Sequence, residues 1–180
     1  MIVEQITNKL KVENEKNLND EWFTPEYAIL PLREFVKLNS VIWCPFDKQE
    51  SNYVKLLECW GHNVIYSHID NGEDFFEYEP NIDYDYIISN PPYSLKNKVF
   101  DRLFRLKKPF AMLVGVVGIF ESKYRYEMFK QNDFEIMFFD KRISFYRNLN
   151  DKQKTNPPFS SVYITHNMLH NRIVFKEIHK

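Results

Sequence analysis

Four consecutive residues, Asn90-Pro91-Pro92-Tyr93, follow directly on an apolar run from Tyr86 to Ser89, and their types suit one kind of chemistry. Two adjacent prolines lock φ and remove two N–H donors, so the carbonyls of this turn are left to accept. The Asn90 side-chain oxygen and the Pro91 carbonyl can each take one N–H of a planar amino group whose lone pair is delocalised into a ring. Drawing that nitrogen towards pyramidal geometry aims its lone pair at an electrophile, while Tyr93 offers the ring a flat face. A plain proline turn after a strand is the structural alternative for such a tetrapeptide, and its surroundings argue against that.

Those surroundings alternate short apolar strands with amphipathic helical stretches, the grammar of an α/β domain with a mainly parallel sheet. Strands are expected at Val41 to Phe46, Val64 to Ile69, Tyr86 to Ser89, Phe110 to Val117 and Phe134 to Phe139. Ser161 to Thr165 and Ile173 to Ile178 follow with no long helix between them, which favours an antiparallel strand at one edge. Helices are expected at Glu50 to Trp60, Leu95 to Leu106 and Ser122 to Lys130. An earlier helix starts near Pro25 and runs to about Leu38, bent or divided at Pro31. Residues 1–19 carry Ile2, Val3, Ile6 and Leu10 at roughly helical spacing and read as a peripheral helix or arm, and residues 20–180 as one domain. The polar stretch Asn148 to Pro158 reads as a mobile surface loop. In open α/β sheets ligands bind beyond the carboxyl ends of the strands, which is where Asn90 to Tyr93 fall.

Asn90-Pro91-Pro92-Tyr93 matches the catalytic motif of amino-methyltransferases, and the chain from Trp22 to Thr165 resembles the compact phage- and bacterial-type adenine-specific DNA N6 methyltransferases of restriction-modification. Asp20-Glu21-Trp22-Phe23-Thr24-Pro25 is similar to that family's N-terminal cofactor-flanking motif, and Trp43-Cys44-Pro45-Phe46-Asp47 stands in the place of its first cofactor motif. The resemblance implies a Rossmann-like class I methyltransferase sheet with S-adenosylmethionine as cofactor. It implies transfer of the methyl group to N6 of an adenine in DNA, flipped from the duplex at a cost of roughly a few kcal/mol. Trp22, Thr24 and Pro25 would flank the cofactor, and Pro45, Phe46 and Asp47 would line its methionine part, Asp47 facing the ammonium group. The turn from Pro45 to Ser51 departs from the family in lacking glycine, so backbone approach to a ligand is expected to differ there.

Asp70, at the end of the second strand, is placed to accept ribose hydroxyls; a solvated acid in an Asp-Asn-Gly turn is the equal alternative. Asp74 would take the cofactor's adenine amino group and Phe75 would cover its ring, leaving Phe76 to the core.

The formal net charge of -1 conceals an asymmetry. Residues 1–90 hold 7 Lys/Arg and 17 Asp/Glu, a balance of 7-17 = -10, whereas residues 91–180 hold 17 and 8, a balance of 17-8 = +9. A near-neutral total is therefore compatible with a basic stripe facing a polyanion, or with charges that intermix on folding. Lys96 and Lys98 are the candidate phosphate contacts on the helix after the motif, with Arg102, Arg105, Lys107 and Lys108 further along it. By resemblance, Asp140 to Arg147 borders the target base, with Phe145 closing over it or anchoring the loop, and Lys141, Arg142 and Arg147 meeting the backbone. Lys152 and Lys154 add electrostatic reach.

No separate target-recognition domain is legible, so specificity would come from loops, a homodimer or an accessory partner. RNA-adenine and protein-glutamine methyltransferases resemble the motif too, and a methyltransferase fold that binds without turnover is the third reading. Cys44 and Cys59 lack metal or disulfide spacing, and the five histidines form no ligand pattern, so no metal is expected. The longest apolar run, around Phe110 to Phe120, is too short to span a bilayer and no signal-like segment opens the chain; a soluble, cytoplasmic protein is expected.

Overall fold

A computed structural model describes residues 22–146 and 157–180, with the backbone of Lys154–Thr155 between them. The expected arm over residues 1–19, most of the loop at 148–158, and Arg147 and Lys152 lie outside the described residues.

The chain enters through a short helix, α1 (Glu26–Ile29), which tightens into a 3-10 turn at Leu30–Leu32. Pro31 explains the brevity, since it has no N–H for a continuing helix and its ring crowds the carbonyl four residues back. The strands then follow as β1 (Val41–Cys44), β2 (Asn63–Tyr66), β3 (Tyr86–Ser89), β4 (Phe110–Gly115) and β5 (Glu135–Phe139). After them come β6 (Phe145–Tyr146), β7 (Lys154–Thr155), β8 (Ser161–His166) and β9 (Ile173–Lys176). Three further helices connect them: α2 (Asn52–Cys59), α3 (Lys96–Leu106) and α4 (Lys123–Gln131).

Seven strands form one sheet in the order β2-β1-β3-β4-β8-β5-β9, and β6 pairs with β7 in a separate ribbon. β1, β2, β3 and β4 run parallel, as do β5 and β9, while β8 is antiparallel to both its neighbours. The fold is thus Rossmann-like α/β, mostly parallel with one antiparallel strand. That strand is interior, not at the edge where the sequence placed it. Burial is the reason: β8 is covered along nearly its whole length, whereas β9 alternates exposed and half-buried residues and closes the sheet on the outside.

Both faces of the sheet are covered. On one, Ala28, Ile29 and Leu32 with Val54 and Leu57 of α2 pack over Ile42, Ile88 and Leu113. On the other, Val99, Phe100 and Leu103 of α3 and Phe129 of α4 pack over Trp43, Ile87 and Phe110. Val99, Phe100 and Leu103 are fully buried, each contributing roughly 1.5–3 kcal/mol by removal from water, so α3 is held firmly against the strand that carries Asn90 at its tip. Among the described residues no helix is long and apolar enough to cross a membrane.

Candidate active site

Because β1, β2 and β3 are parallel, their carboxyl ends open on the same edge, and a cleft partly open to solvent lies there. Its floor is the β1 turn with the start of α2, and one wall is the segment after β2. The tip of β3 faces that wall, and Trp22 to Thr24 run across as a strap. Of the expected residues, Trp22, Thr24, Pro45, Phe46, Asp47, Asp74, Phe75, Asn90 and Pro92 all line this space. These come from four separate stretches of chain.

The β1 turn manages without glycine because none of its residues needs positive φ; those that have it, such as Asn39, Gly61 and Gly72, lie elsewhere. The chain leaves the strand with the Asp47 N–H donating to Ser67 O at 3.2 Å, prolonging the β1–β2 ladder. Ser51 then caps α2, its Oγ accepting from the Tyr53 N–H at 3.1 Å.

This geometry sinks the Asp47 carboxylate to 8% exposure at the cleft floor. Its Oδ1 accepts from Ser51 Oγ at 2.6 Å, and its Oδ2 from Ser89 Oγ at 2.5 Å. Burial pushes its pKa up from 3.8 to about 6, against the two serine hydrogen bonds, which act to lower it. A buried carboxylate whose two side-chain donors are neutral hydroxyls is a site that a positive group would suit. Ser51 and Ser89 were missed by sequence reasoning; a serine just before a helix was legible as a cap, but nothing local signals that Ser89 reaches Asp47 across 42 residues.

Asn90 leaves β3 with its carboxamide at the cleft. Nδ2 donates to the Trp22 carbonyl at 3.0 Å. Oδ1 is buried and, among the described residues, accepts no hydrogen bond. Pro92 lines the cleft and its carbonyl accepts from the Leu95 N–H at 3.1 Å, so that acceptor belongs to the turn itself. Pro91 is buried behind it, outside the lining.

Tyr93, half-buried beside the cleft lining, packs against Phe159, with ring centroids 5.6 Å apart. Phe159 in turn fills the space over Gly115 at the end of β4, where a Cβ would come within 2.8 Å of its ring. Phe159, unremarked in the sequence, is thus the aromatic partner of Tyr93. Phe145, read from sequence as a ring closing over a base or as an anchor, is 1% exposed in the core and packs edge-on to Trp22 at 6.1 Å, which is the anchoring part.

The remaining cofactor candidates take different places. Asp70 does not line the cleft; its carboxylate is 2.6 Å from Lys48 Nζ, and that hydrogen bond holds it below the usual carboxylate range. Pro25 is buried as the residue preceding α1. Phe75 and Phe76 both line the cleft: Phe75 is 2% exposed among Trp43 and Phe46, and Phe76, expected in the core, is the half-buried ring beside it. Asp74 stays in the lining, with its Oδ1 accepting the Phe76 N–H at 3.0 Å.

The candidate phosphate contacts scatter. Lys96 sits beside the motif, 5.5 Å over the Tyr93 ring, with Nζ also donating to Val117 O at 3.3 Å. Lys98 is exposed and 5.9 Å over Phe76, lining a shallow depression with Asp74, Arg102 and Arg105. Arg102 is committed to the Phe76 and Tyr78 carbonyls. Lys141 donates to Ile178 O at 3.1 Å and, like the exposed Arg142, does not line the cleft.

Sheet and cleft together define a Rossmann-like domain with a ligand site at its carboxyl edge. No protein-family model and no curated protein sequence matches the chain. Solved structures with a similar sheet include one described as a modification subunit of a type I restriction enzyme from Vibrio vulnificus. It is 11% identical with a TM-score of 0.49, over 88% of this chain and 47% of that one, so the chain spans about half of its length. A SAM-dependent O-methyltransferase from Thermotoga maritima is 12% identical, with a TM-score of 0.43 over 82% of this chain and 67% of that one. A structure described as a methyltransferase from Thermoplasma acidophilum is 10% identical, with a TM-score of 0.39 over 79% and 73%. At such identities the chemistry is left to the residues of this chain.

Proposed function

We propose that the chain is an S-adenosylmethionine-dependent methyltransferase acting on N6 of adenine in DNA. One observation carries the proposal: a buried carboxamide oxygen, Asn90 Oδ1, with no partner among the described residues, sits at the tip of β3 on a cleft whose floor is a buried carboxylate.

Both features fit the two ligands. The cofactor carries positive charge on an ammonium and a sulfonium, and Asp47 is the acid that would face the ammonium; a cation there would return the carboxyl to its ionised form. Phe46 and Phe76 would flank the adenosine, and Asp74 is the acceptor on that wall. When bound, the cofactor supplies an electrophilic methyl group. Asn90 Oδ1 would accept one N–H of the target amino group, and the Pro91 carbonyl is the candidate for the second. Two acceptors would localise the nitrogen lone pair, a preorganised effect worth about 2 to 4 kcal/mol per group. Tyr93, braced by Phe159, would supply the stacking face that its place in the motif gives it. Lys96 and Lys98, on the first turn after the motif, are the cations best placed to meet flanking phosphates.

Transfer of labelled methyl from the cofactor to duplex DNA, single-stranded DNA, RNA and protein tests the proposal directly. Label in N6-methyladenine of DNA supports it. Label only in RNA or in glutamine moves the substrate class, and no label together with no heat on cofactor titration leaves a binding protein without turnover.

A further inference from the structure

The strap over the cleft is stitched down more firmly than a chain entry requires. Phe23 and Tyr146 exchange both backbone hydrogen bonds, at 2.9 and 3.0 Å, and Asn52 Nδ2 donates to Thr24 O at 2.8 Å. Between these points and β3, the Trp22 carbonyl is held 3.0 Å from the Asn90 carboxamide. A carbonyl can only accept, so the carboxamide atom facing it must be the NH2, and chemistry alone fixes which way round Asn90 lies. Turning the group over would set two oxygens against each other at that distance and point donors at the cleft.

We infer that the Trp22 main-chain carbonyl is a positioning group for the proposed reaction: it locks Asn90 with Oδ1 towards the substrate amino group, and so makes this chain require a carboxamide, not a carboxylate, at position 90. The inference rests on the proposed methyl transfer for its activity test but not for its geometry. An aspartate at 90 has the acceptor that a substrate needs, yet when ionised it sets a second oxygen against the Trp22 carbonyl in a buried place. Protonated, the same carboxyl donates to Trp22 O and keeps one oxygen for the substrate, restoring the wild-type arrangement.

The test is the pH profile of Asn90→Asp against wild type, as initial methyl-transfer rates on an adenine-containing duplex between pH 5 and 8.5, with Asn90→Ala alongside. At pH 8 the aspartate variant should be slower than wild type by about a hundredfold or more, as for loss of one transition-state contact. Its rate relative to wild type should climb up to about tenfold per pH unit on going acid, as the carboxyl takes its proton, while Asn90→Ala shows no such recovery. A variant as fast as wild type at pH 8, or a deficit that is flat with pH, overturns the inference. If the aspartate variant does not fold, the wild-type protein decides by NMR. A scalar coupling from the Asn90 side-chain amide across the hydrogen bond to the Trp22 carbonyl carbon is expected, and rapidly exchanging amide protons without it refute the lock. Wild type that transfers no methyl to any adenine removes the proposed function and leaves this NMR result standing or falling separately.

Discussion

Asp47 gives the sharpest test of how stability and function are traded in the cleft. A folded-state pKa raised from 3.8 to about 6 means that the native protein holds a proton which the unfolded chain releases at about pH 4. Between those values the native state binds more protons, so unfolding free energy falls as pH rises through the window and is level above it. The rise is worth about 3 kcal/mol at 1.36 kcal/mol per unit, taken as an order of magnitude. Asp47→Asn keeps the shape without the charge, and the Ser51 and Ser89 hydroxyls can turn to meet the amide. The variant should therefore match wild type near pH 4 and exceed it by up to about 3 kcal/mol at pH 8. For a chain of this size that is about 6–12 °C in midpoint. The lowered pKa of Asp70 acts in a separate window, its stabilisation being lost only as pH falls below 3.8. Urea unfolding at pH 4.5 and 8 measures the difference. Calorimetric titration of both proteins with S-adenosylmethionine then completes the comparison: the more stable variant should bind more weakly, and wild type at pH 6 should release protons on binding. A stability difference between the two proteins that does not change with pH would refute the reasoning.

Three further outcomes are expected. Asn90→Ala should keep its fold by circular dichroism while transfer slows by about 2 to 4 kcal/mol in activation free energy, measured as kcat on an adenine duplex. Ser51→Ala loses both the α2 cap and the Oδ1 hydrogen bond of Asp47, so chemical denaturation should show a loss of about 1–3 kcal/mol, larger at pH 8 than at pH 4.5 because the carboxylate left behind is charged. Gly115→Ala puts a methyl 2.8 Å from the Phe159 ring, and thermal denaturation should show a loss of about 1–3 kcal/mol; displacement of Phe159 from Tyr93 should raise the KM for DNA.

Local pattern was enough to read the scaffold. An apolar run of four residues bounded by Asp85 and a double proline can be little other than a short buried strand, and β3 spans Tyr86–Ser89 as expected. The helical spacing of Val99 and Leu103 likewise identified α3, and the cleft at the carboxyl edge followed from parallel strands. These features depend on backbone sterics and on the period of hydrophobic residues, which neighbours in sequence report. What tertiary structure alone decided concerns where side chains meet. Phe145 and Phe159 each stand next to a serine outside the strands and helices expected from sequence, yet one packs on Trp22 in the core and the other on Tyr93. Asp70 was read equally as a ligand residue and as a solvated turn acid, because the lysine that pairs with it lies 22 positions away on another turn. The interior place of β8 depended on which partners covered both of its edges, and no run of six residues carries that information. The orientation of Asn90 and the elevated pKa of Asp47 have the same origin: a hydrogen bond spanning 68 residues, and burial at a cleft floor that only the folded sheet assembles.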